Sequence, residues 1–358
     1  MSAPIFPARP ATDFAARIVH WQRTHGRSGL PWQGTRDPYA IWLSEVMLQQ
    51  TQVATVIPYY ERFVARFPDV RSLAAASIDA VLPLWSGLGY YARARNLHRA
   101  ACEVMARFGG VFPTRFDDLV TLPGIGRSTA AAIAAFAAGA RHPILDGNVK
   151  RVLARHAGIG GDPGSTGVLS QLWSVAEART PHTGIEAYTQ GMMDLGADVC
   201  SVRRPACLAC PVADDCVARI EGRIGELPGK RVRAARKRRR IGMLVVLSQA
   251  EVLLEKRPAS GIWGGLWSLP ECGADDEPLA ALARDWGLEA EAASAMAPFE
   301  HAFTHFTLEV APWRLHVGHA ANMAFERPAT WLALADIDGA ALPSPVRRLL
   351  AGVRAMPG

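Results

Sequence analysis

A run of basic residues divides the chain into two parts whose apolar residues repeat with different periods. Residues 229–240 carry the densest charge in the sequence and have almost no apolar periodicity, which predicts a linker. Upstream of it, the spacing of apolar residues predicts helices at 41–57, 78–85, 92–108, 128–138 and 189–196. Downstream, short runs typical of β-strands occur at 243–247, 251–255 and 305–312. The sequence therefore predicts an all-α part followed by an α+β part.

The length of the chain agrees with this division. At 358 residues it is long for one domain, since about 150 residues per domain is usual. We predict a first domain at 1–225, a basic linker at 226–240 and a second domain at 241–358. The linker is either a solvated connector or an arm that contacts phosphates, and the sequence leaves both open.

Charge and hydropathy set broad expectations. The net charge is +6 and the pI is about 9.2, a modest basic balance that suits binding to a polyanion without proving it. The N-terminus lacks the basic-then-apolar pattern of a secretory signal. The most apolar stretch, 130–138, is far shorter than the roughly 20 residues of a membrane span. We therefore expect a cytoplasmic protein without a membrane anchor.

Glu45 lies within an otherwise apolar segment. We predict one helix from residue 38 to 58, because proline is favoured at a helix start and disrupts a helix interior. The neighbours of Glu45 one turn away are mostly apolar or aromatic and include Ile41, Trp42 and Leu48. Loss of water raises the pKa of a carboxyl group, as a general acid near neutral pH requires. The alternative is an ordinary glutamate at the helix surface.

Asp146 lies in a different setting. It follows an apolar stretch and precedes Gly147 and Asn148, after which 149–156 has the pattern of a helix. At a helix N-terminus the backbone N–H groups and the dipole favour an anion, so we expect Asp146 to stay ionised. One protonated and one charged carboxyl group would act as an acid and a stabiliser of positive charge. The alternative is that Asp146 serves only as a helix cap.

The segment 122–129 predicts a phosphate-binding turn. Gly124 and Gly126 let the backbone turn tightly before the alanine-rich helix. N–H groups at the start of that helix, near Arg127, would then point outward and hold a phosphate. The turn is similar to the LPGxG signature of helix-hairpin-helix DNA-binding proteins.

Four of the six cysteines fall within seventeen positions, with the spacing C-x6-C-x2-C-x5-C: Cys200, Cys207, Cys210 and Cys216. Such clustering predicts one site with four thiolate ligands, and the spacing leaves zinc and an iron–sulfur cluster both open. Disulfides are not expected, because they are rare in the reducing cytosol. We predict that Cys102 and Cys272 are ordinary buried residues.

Taken in order, these features resemble the endonuclease III superfamily of DNA glycosylases, whose four cysteines hold a [4Fe–4S] cluster. The segments WLSEVMLQQTQV at 42–53 and GLGYYARARNL at 87–97 are similar, nearly letter for letter, to MutY-type adenine DNA glycosylases. The likeness runs from about residue 30 to 216 and resumes in the C-terminal third. It implies an all-α helix-hairpin-helix domain, a [4Fe–4S] cluster on the four cysteines and double-stranded DNA as the binding partner.

Position 128 separates two branches of this superfamily. The bifunctional branch carries a lysine there, whose amine attacks the sugar and forms an imine, whereas this chain has Ser128. A serine hydroxyl cannot form an imine. The resemblance therefore implies a monofunctional glycosylase that releases a base and leaves an abasic site.

The second part resembles a Nudix fold, as in the C-terminal domain of MutY-type enzymes. Residues 280–288 read AALARDWGL and lack the Mg²⁺-binding glutamates of a catalytic Nudix box, so we expect binding rather than nucleotide hydrolysis. Phe303, Thr304 and His305 are similar to the Phe-Ser-His loop by which the family senses 8-oxoguanine on the opposite strand. Threonine keeps the hydroxyl of serine and adds a methyl group.

The resemblance implies base excision repair of adenine paired with 8-oxoguanine or guanine. The adenosine must leave the base stack to be reached. By resemblance, Gln50 and Tyr90 enter the duplex, and Trp32 lies against the extruded adenine. Glu45 would protonate adenine N7 and Asp146 would stabilise the cationic sugar, electrostatically or through a transient covalent bond. Further roles near the sugar, the attacking water and the base are implied for Asn148, Ser128 and Gln190.

Two other functions fit parts of the sequence. A lyase-active pyrimidine glycosylase of the endonuclease III type is disfavoured by Ser128 and by the second domain. A non-catalytic mismatch-binding protein, or a zinc-stabilised DNA-binding protein, is disfavoured because both carboxyl groups are present. Nothing in the sequence indicates more than a monomer.

Overall fold

The computed structural model describes residues 11–229, 236–303, 305–318, 325 and 327–355. The chain divides into two units that do not follow sequence order. The first unit consists of Met1–Ala75 and Asn96–Val232, and the second of Ala76–Arg95 and Arg233–Gly358. Within the described ranges, no helix is long and apolar enough to cross a membrane.

Helices occur in both units. In chain order, those within the described ranges are α1 (Ala11–His25), α2 (Pro38–Leu48), α3 (Val53–Arg66), α4 (Val70–Ala75), α5 (Ile78–Trp85), α6 (Ala92–Phe108), α7 (Phe116–Leu119), α8 (Arg127–Ala138), α9 (Gly147–His156), α10 (Thr166–Arg179), α11 (Ile185–Asp194), α12 (Val217–Ile220), α13 (Pro278–Trp286) and α14 (Ser344–Arg354). A five-residue π-helix, Leu195–Val199, continues α11.

The first unit is all-α, as predicted. Its core joins α1, α8, α9, α10 and α11 through buried side chains such as Ile18, Val152, Leu172 and Met192. Helix α8 packs against both α2 and α11. It can do so because the six residues from Ala130 to Ala135 are buried and five of them are alanines, which let neighbouring backbones approach closely.

The helix predicted from residue 38 to 58 is in fact two helices. Helix α2 ends at Leu48, and Gln50 adopts a left-handed backbone conformation with φ of 58° that no helix can continue through. Pro58 lies inside α3 instead of ending it. Proline has no N–H, so the Ala54 carbonyl loses its helical hydrogen bond. Pro58 and Ala54 are both exposed, so water can bond to that oxygen instead.

The second unit is built on a mixed sheet, which confirms the α+β prediction. Its strands are β1 (Lys237–Ser248), β2 (Glu251–Lys256), β3 (Trp267–Ser268), β4 (Glu271–Gly273), β5 (Ala290–Ala295), β6 (Phe299–Ala302), β7 (Phe306–Val317) and β8 (Ala329–Ala333). The order is β3-β2-β1-β7-β5, with β4 on β1, β6 on β7 and β8 on β2. Strands β1 and β7 are parallel and the other pairs are antiparallel.

The segment Ala76–Arg95 is held within the second unit by polar contacts. The ammonium group of Lys256 lies 2.6 Å from a carboxylate oxygen of Asp79. The hydroxyl of Ser86 donates to the Leu342 carbonyl at 2.9 Å. The guanidinium group of Arg95 donates to the Gly264 carbonyl at 2.6 Å.

Two expectations from the sequence need correction. The segment predicted as a linker extends to Arg240, but Lys237–Ser248 is strand β1, and its first four residues pair with Phe306 to Glu309. The sequence shows no alternation of apolar and polar residues here, because those four side chains are all exposed. The backbone alone makes the hydrogen bonds of the strand. Cys102 is exposed, because it lies opposite the buried face of α6; Cys272 is buried, as predicted.

Candidate active-site cleft

A cleft of about 1710 Å³ opens in the first unit. Its walls come from the loop at 27–36, α2, the turn between α2 and α3, the start of α8, the start of α9, and α11. Seven residues that the sequence predicted as site residues line it together: Trp32, Glu45, Gln50, Ser128, Asp146, Asn148 and Gln190. These residues span 159 positions of sequence, so only the fold brings them to one surface.

Glu45 lies on α2 and lines the cleft, with its surface partly buried. Burial, with a smaller contribution from the negative charge of Asp146, raises the pKa of its carboxyl group from the usual 4.5 to about 8. Trp42 and Leu43, which precede it on the helix, are completely buried. The expectation of a carboxyl group kept protonated near neutral pH is confirmed.

Asp146 is the N-cap of α9, and its Oδ1 accepts a hydrogen bond of 2.8 Å from the backbone N–H of Val149. Burial nevertheless raises its pKa, against the opposing effects of the amides of Val149 and Asn148 and of the charges of Arg151 and Lys150. The shift is therefore opposite in direction to the effect of a helix N-terminus, which favours the ionised form. The helix N-terminus was recognised in the sequence, but the loss of water inside the cleft outweighs it.

The turn before α8 has the expected form. Gly124 has φ of 78°, and a side chain there would lie 2.8 Å from Asn96 Cβ, so only glycine fits. The N-cap of α8 is Gly126, and no side chain caps the helix, which leaves its first amides suited to an anion. Arg127 is exposed, and its guanidinium carbon lies 3.8 Å from the ring centre of Trp173. Gly124, Gly126 and Arg127 do not line the cleft.

Ser128 connects this turn to the segment that leads into Asp146. Its Oγ accepts a hydrogen bond of 3.0 Å from the backbone N–H of Leu145, the residue before Asp146. The hydroxyl can still donate its own proton. Ser128 therefore fixes the approach to Asp146 and offers a donor at the wall of the cleft.

Trp32 and Gln50 also line the cleft. The side chain of Trp32 is 8% exposed and packs edge-on against Tyr60, with ring centres 5.2 Å apart. Gln50 is exposed at the turn between α2 and α3, and its left-handed φ of 58° costs about 1 kcal/mol or more for a residue other than glycine. The neighbouring Gln49 donates to Thr129 Oγ1 at 3.3 Å, which ties this turn to α8.

Asn148 and Gln190 are each held by a charged side chain that the sequence analysis missed. Arg151 Nη2 donates to Asn148 Oδ1 at 2.8 Å. Gln190 Nε2 donates to Asp194 Oδ1 at 2.9 Å. Asp194 lines the cleft and is 1% exposed. The spacings of three and four residues within helices are the signal that could have found both partners.

The four cysteines lie on the segment that follows the π-helix and are free thiols. Two arginines of α9 fasten this segment. Arg151 Nε donates to the Cys200 carbonyl at 2.7 Å. Arg155 is buried, and its guanidinium group donates to Cys200 Sγ at 3.4 Å and to the Ser201 carbonyl at 2.8 Å. The cysteine segment is thus joined to the helix that Asp146 caps.

The thiols influence one another electrostatically. Burial, with smaller contributions from the charges of Cys200, Cys216 and Cys207, raises the pKa of the Cys210 thiol to about 12. Such mutual repulsion is expected where several thiolates converge and a bound cation compensates their charge. Over the described ranges, no group of three or more His, Cys, Asp or Glu side chains is arranged to hold a metal ion.

The remaining predicted residues belong to the second unit. Tyr90 is 49% exposed and has φ of 50°. Phe303 stacks on Phe306 with ring centres 4.6 Å apart, at the turn between β6 and β7. His305 is exposed at this turn, and Thr304 lies outside the described residues. Phe303 is therefore packed among aromatic rings, and His305 is the accessible member.

Comparison with known proteins covers both units. The family model for HhH-GPD superfamily base excision DNA repair proteins matches residues 43–178, and that for the NUDIX domain matches residues 242–352. The adenine DNA glycosylase of Buchnera aphidicola subsp. Acyrthosiphon pisum (strain APS) is 35% identical over 338 residues, covering 94% of this chain and 96% of that protein. The adenine DNA glycosylase of Mus musculus is 33% identical, covering 94% and 77% respectively.

A solved structure shares the fold of the first unit. A thermostable thymine-DNA glycosylase is 27% identical to the aligned part of this chain, with a TM-score of 0.54. The alignment covers 59% of this chain and 97% of the other. The helix-hairpin-helix glycosylase fold and the Nudix domain predicted from the sequence are confirmed.

The site makes a direct prediction about protonation. Glu45 should titrate near pH 8, so its carboxyl group is mostly protonated at pH 7 and mostly ionised at pH 9. Replacing Asp146 by Asn should lower the pKa of Glu45, because a negative charge is removed. Carboxyl resonances of ¹³C-labelled glutamate, assigned with Glu45→Gln, would measure both values. Asp117→Asn, outside the cleft, is the control and should leave the pKa unchanged.

Proposed function

This chain belongs to the adenine DNA glycosylases, and from that premise we propose that it removes adenine lying opposite 8-oxoguanine or guanine in duplex DNA. The family membership makes it a base excision repair enzyme that hydrolyses an N-glycosidic bond. The observation that carries the proposed mechanism is a protonated carboxyl group, Glu45, beside a second carboxyl group, Asp146, in one cleft.

The cleft suits an extruded nucleotide. A glycosidic bond within the duplex is inaccessible, so the adenosine must rotate out of the stack at a cost of a few kcal/mol. The volume of about 1710 Å³ exceeds the roughly 300–1,000 Å³ usual for small ligands and leaves room for flanking backbone. We propose that Trp32 contacts the extruded adenine, while Gln50 and Tyr90 occupy the space it leaves. Amides at Gly124, Gly126 and Arg127 would bind phosphate.

Glu45 acts as the general acid in this proposal. Its proton goes to adenine N7, which lets the C1′–N9 bond break with the bonding electrons moving into the base. Adenine then leaves as a neutral molecule. The sugar becomes a cation, and Asp146, partly buried in the same cleft, stabilises that charge. Water adds at C1′ and gives a proton to the carboxylate of Glu45, which restores the acid. Asn148 and Ser128 would bind the water or the sugar, and Gln190 would bind the base.

Ser128 supports a monofunctional reaction. Its hydroxyl is engaged with the Leu145 amide and offers no amine for imine formation. The product would then be an abasic site in an intact strand. This distinguishes the enzyme from a glycosylase that also cleaves the strand.

We propose that Cys200, Cys207, Cys210 and Cys216 hold a [4Fe–4S] cluster. The donor set fits: four free thiols lie on one segment, affect one another electrostatically, and receive an arginine hydrogen bond at Cys200. When bound, the cluster supplies the positive charge that these thiolates need and cross-links the segment. Arg151 and Arg155 of α9 hold the segment against this helix, which Asp146 caps.

The second unit is proposed to recognise the base opposite adenine. Its β6–β7 turn presents His305 to solvent above a packed Phe303, and Thr304 completes the motif recognised in the sequence. We further propose that the enzyme works as a cytoplasmic monomer on chromosomal DNA. The domain limits of 1–225 and 241–358 remain a proposal.

Replacing Glu45 by Gln should abolish adenine excision and leave binding to the mispair largely intact. The amide has nearly the same shape but cannot donate an acidic proton, and general acid catalysis typically contributes 10²–10⁴-fold. Single-turnover release from an A:8-oxoguanine duplex would measure the loss, with mobility-shift affinity as the control. A rate within tenfold of that of the unmodified enzyme would contradict the assignment of Glu45 as the general acid.

Borohydride should trap no substantial protein–DNA adduct during adenine release, because position 128 carries no amine. Strand breaks should appear only after alkali. Ser128→Lys tests the same point in the other direction, since its amine is expected to allow trapping. Efficient trapping by the unmodified enzyme would show that another lysine forms an imine and would overturn the monofunctional assignment.

His305→Ala should reduce the preference for A:8-oxoguanine over A:G. Loss of one hydrogen bond to a base edge is worth about 1 kcal/mol, or roughly fivefold in the rate ratio. His316→Ala is a matched control, because it is an exposed histidine of the adjoining strand β7. A point variant is preferable to truncation, because Ala76–Arg95 also belongs to the second unit. An unchanged ratio would remove His305 from the recognition site.

A further inference from the structure

Asp194 is a buried carboxylate that connects two parts of the cleft wall. It is 1% exposed and lies at the end of α11. Its Oδ1 accepts a hydrogen bond of 2.9 Å from the side-chain amide of Gln190, one turn earlier. Its Oδ2 accepts a hydrogen bond of 3.0 Å from the backbone N–H of Arg27, which is 167 residues away in sequence.

The bond to Arg27 fixes the position of Asp194 and favours its ionised form, whereas burial raises its pKa. Arg27 Nε also lies 3.8 Å from Asp194 Oδ1, so a cation faces the buried carboxylate. With both oxygens accepting hydrogen bonds, the ionised form is the one that satisfies every donor. Gln33 closes the same loop, since its Nε2 donates to the Arg27 carbonyl at 3.1 Å and its Oε1 accepts from Leu30 at 3.1 Å. Asp194 therefore anchors the loop that carries Trp32.

The bond to Gln190 has a chemical consequence for the cleft. A carboxylate can only accept hydrogen bonds, so the Gln190 side chain must turn its NH₂ group toward Asp194. Its carbonyl oxygen then remains for a molecule in the cleft, which Gln190 lines. Without Asp194 the amide could rotate by 180° and present a donor instead, because its two ends are nearly equal in shape.

We infer that Asp194 is a positioning residue that sets the base specificity of the site by holding the Gln190 carbonyl toward the amino group at C6 of the base. A 6-aminopurine offers a hydrogen-bond donor at that position, whereas a 6-oxopurine offers an acceptor and would be repelled. This inference rests on the proposed function. It supplies a reason for the protonated acid, which needs only N7, to act less well on hypoxanthine than on adenine.

The test compares adenine and hypoxanthine, which share N7 and differ at C6. Duplexes with either base opposite 8-oxoguanine are used with the full-length enzyme, and single-turnover rates give a preference ratio. In Asp194→Asn, the new amide oxygen can accept from Arg27 and its NH₂ can donate to Gln190, which reverses the Gln190 amide. The adenine-to-hypoxanthine ratio should fall about tenfold or more, since each such contact is worth about 1–3 kcal/mol of discrimination. Asp194→Glu should restore part of the ratio.

Asp198→Asn is the matched control. Asp198 forms its own ion pair with Arg27, at 2.5 Å, but makes no contact with Gln190 among the described residues. Its replacement weakens the hold on Arg27 and leaves the Gln190 amide as it is, so the ratio should not change. A purely structural role of Asp194 would lower both rates together and leave the ratio constant, and that result overturns the inference.

Gln190→Leu keeps the inference testable even if Asp194→Asn does not fold. It removes the amide that Asp194 is proposed to orient, so it should lower the preference for adenine, and adding Asp194→Asn to it should change the ratio no further. An unchanged preference in Gln190→Leu would refute the role of Asp194. An unmodified enzyme that releases neither base would instead refute the proposed function, so the two failures are distinguishable.

Discussion

The partial burial of two neighbouring carboxyl groups is the constraint on which the site depends. In water Glu45 and Asp146 would both be ionised at neutral pH, and an ionised Glu45 has no proton to give. Burial is the largest cause of the raised pKa at both positions, and the charge of Asp146 adds to it at Glu45. The helices α2, α8 and α9 must therefore pack closely enough to limit the access of solvent to both groups, which the buried alanines of α8 permit. The packing of these helices therefore sets the protonation that the proposed catalysis needs.

Helix α9 links the carboxyl pair to the rest of the unit. Its first turn binds Asp146, its core face carries buried residues such as Val152 and Leu153, and its arginines hold the cysteine segment. The backbone carbonyls that receive these arginines have few other ways to satisfy their hydrogen bonds once buried. A distortion at the cysteine segment would thus reach the cleft through a single helix of ten residues.

Local patterns in the sequence predicted most of the fold and of the cleft residues. The features that they did not predict depend on contacts between residues far apart in sequence. The apolar neighbours of Glu45 lie on its own helix, so its raised pKa could be predicted; the cap at Asp146 could be predicted for the same reason. The break after Leu48 depends on the left-handed backbone conformation of Gln50. Glutamine rarely adopts this conformation, and no sequence rule indicates it. The pKa of Asp146 depends on burial by other helices, and the contact between Asp194 and Arg27 spans 167 residues.

The division of the chain at Ala76–Arg95 has a consequence for how the protein is made. Asp79 pairs with a lysine 177 residues later, and Ser86 with a carbonyl 256 residues later. At a synthesis rate of about 5–20 residues per second, those partners emerge from the ribosome on the order of ten seconds or more after the segment that needs them. Until then α5 and its apolar face have no place to pack within the second unit. Slow translation or premature termination would leave this segment exposed to chaperones and proteases, so nearly the whole chain must be synthesised before the second unit can be completed.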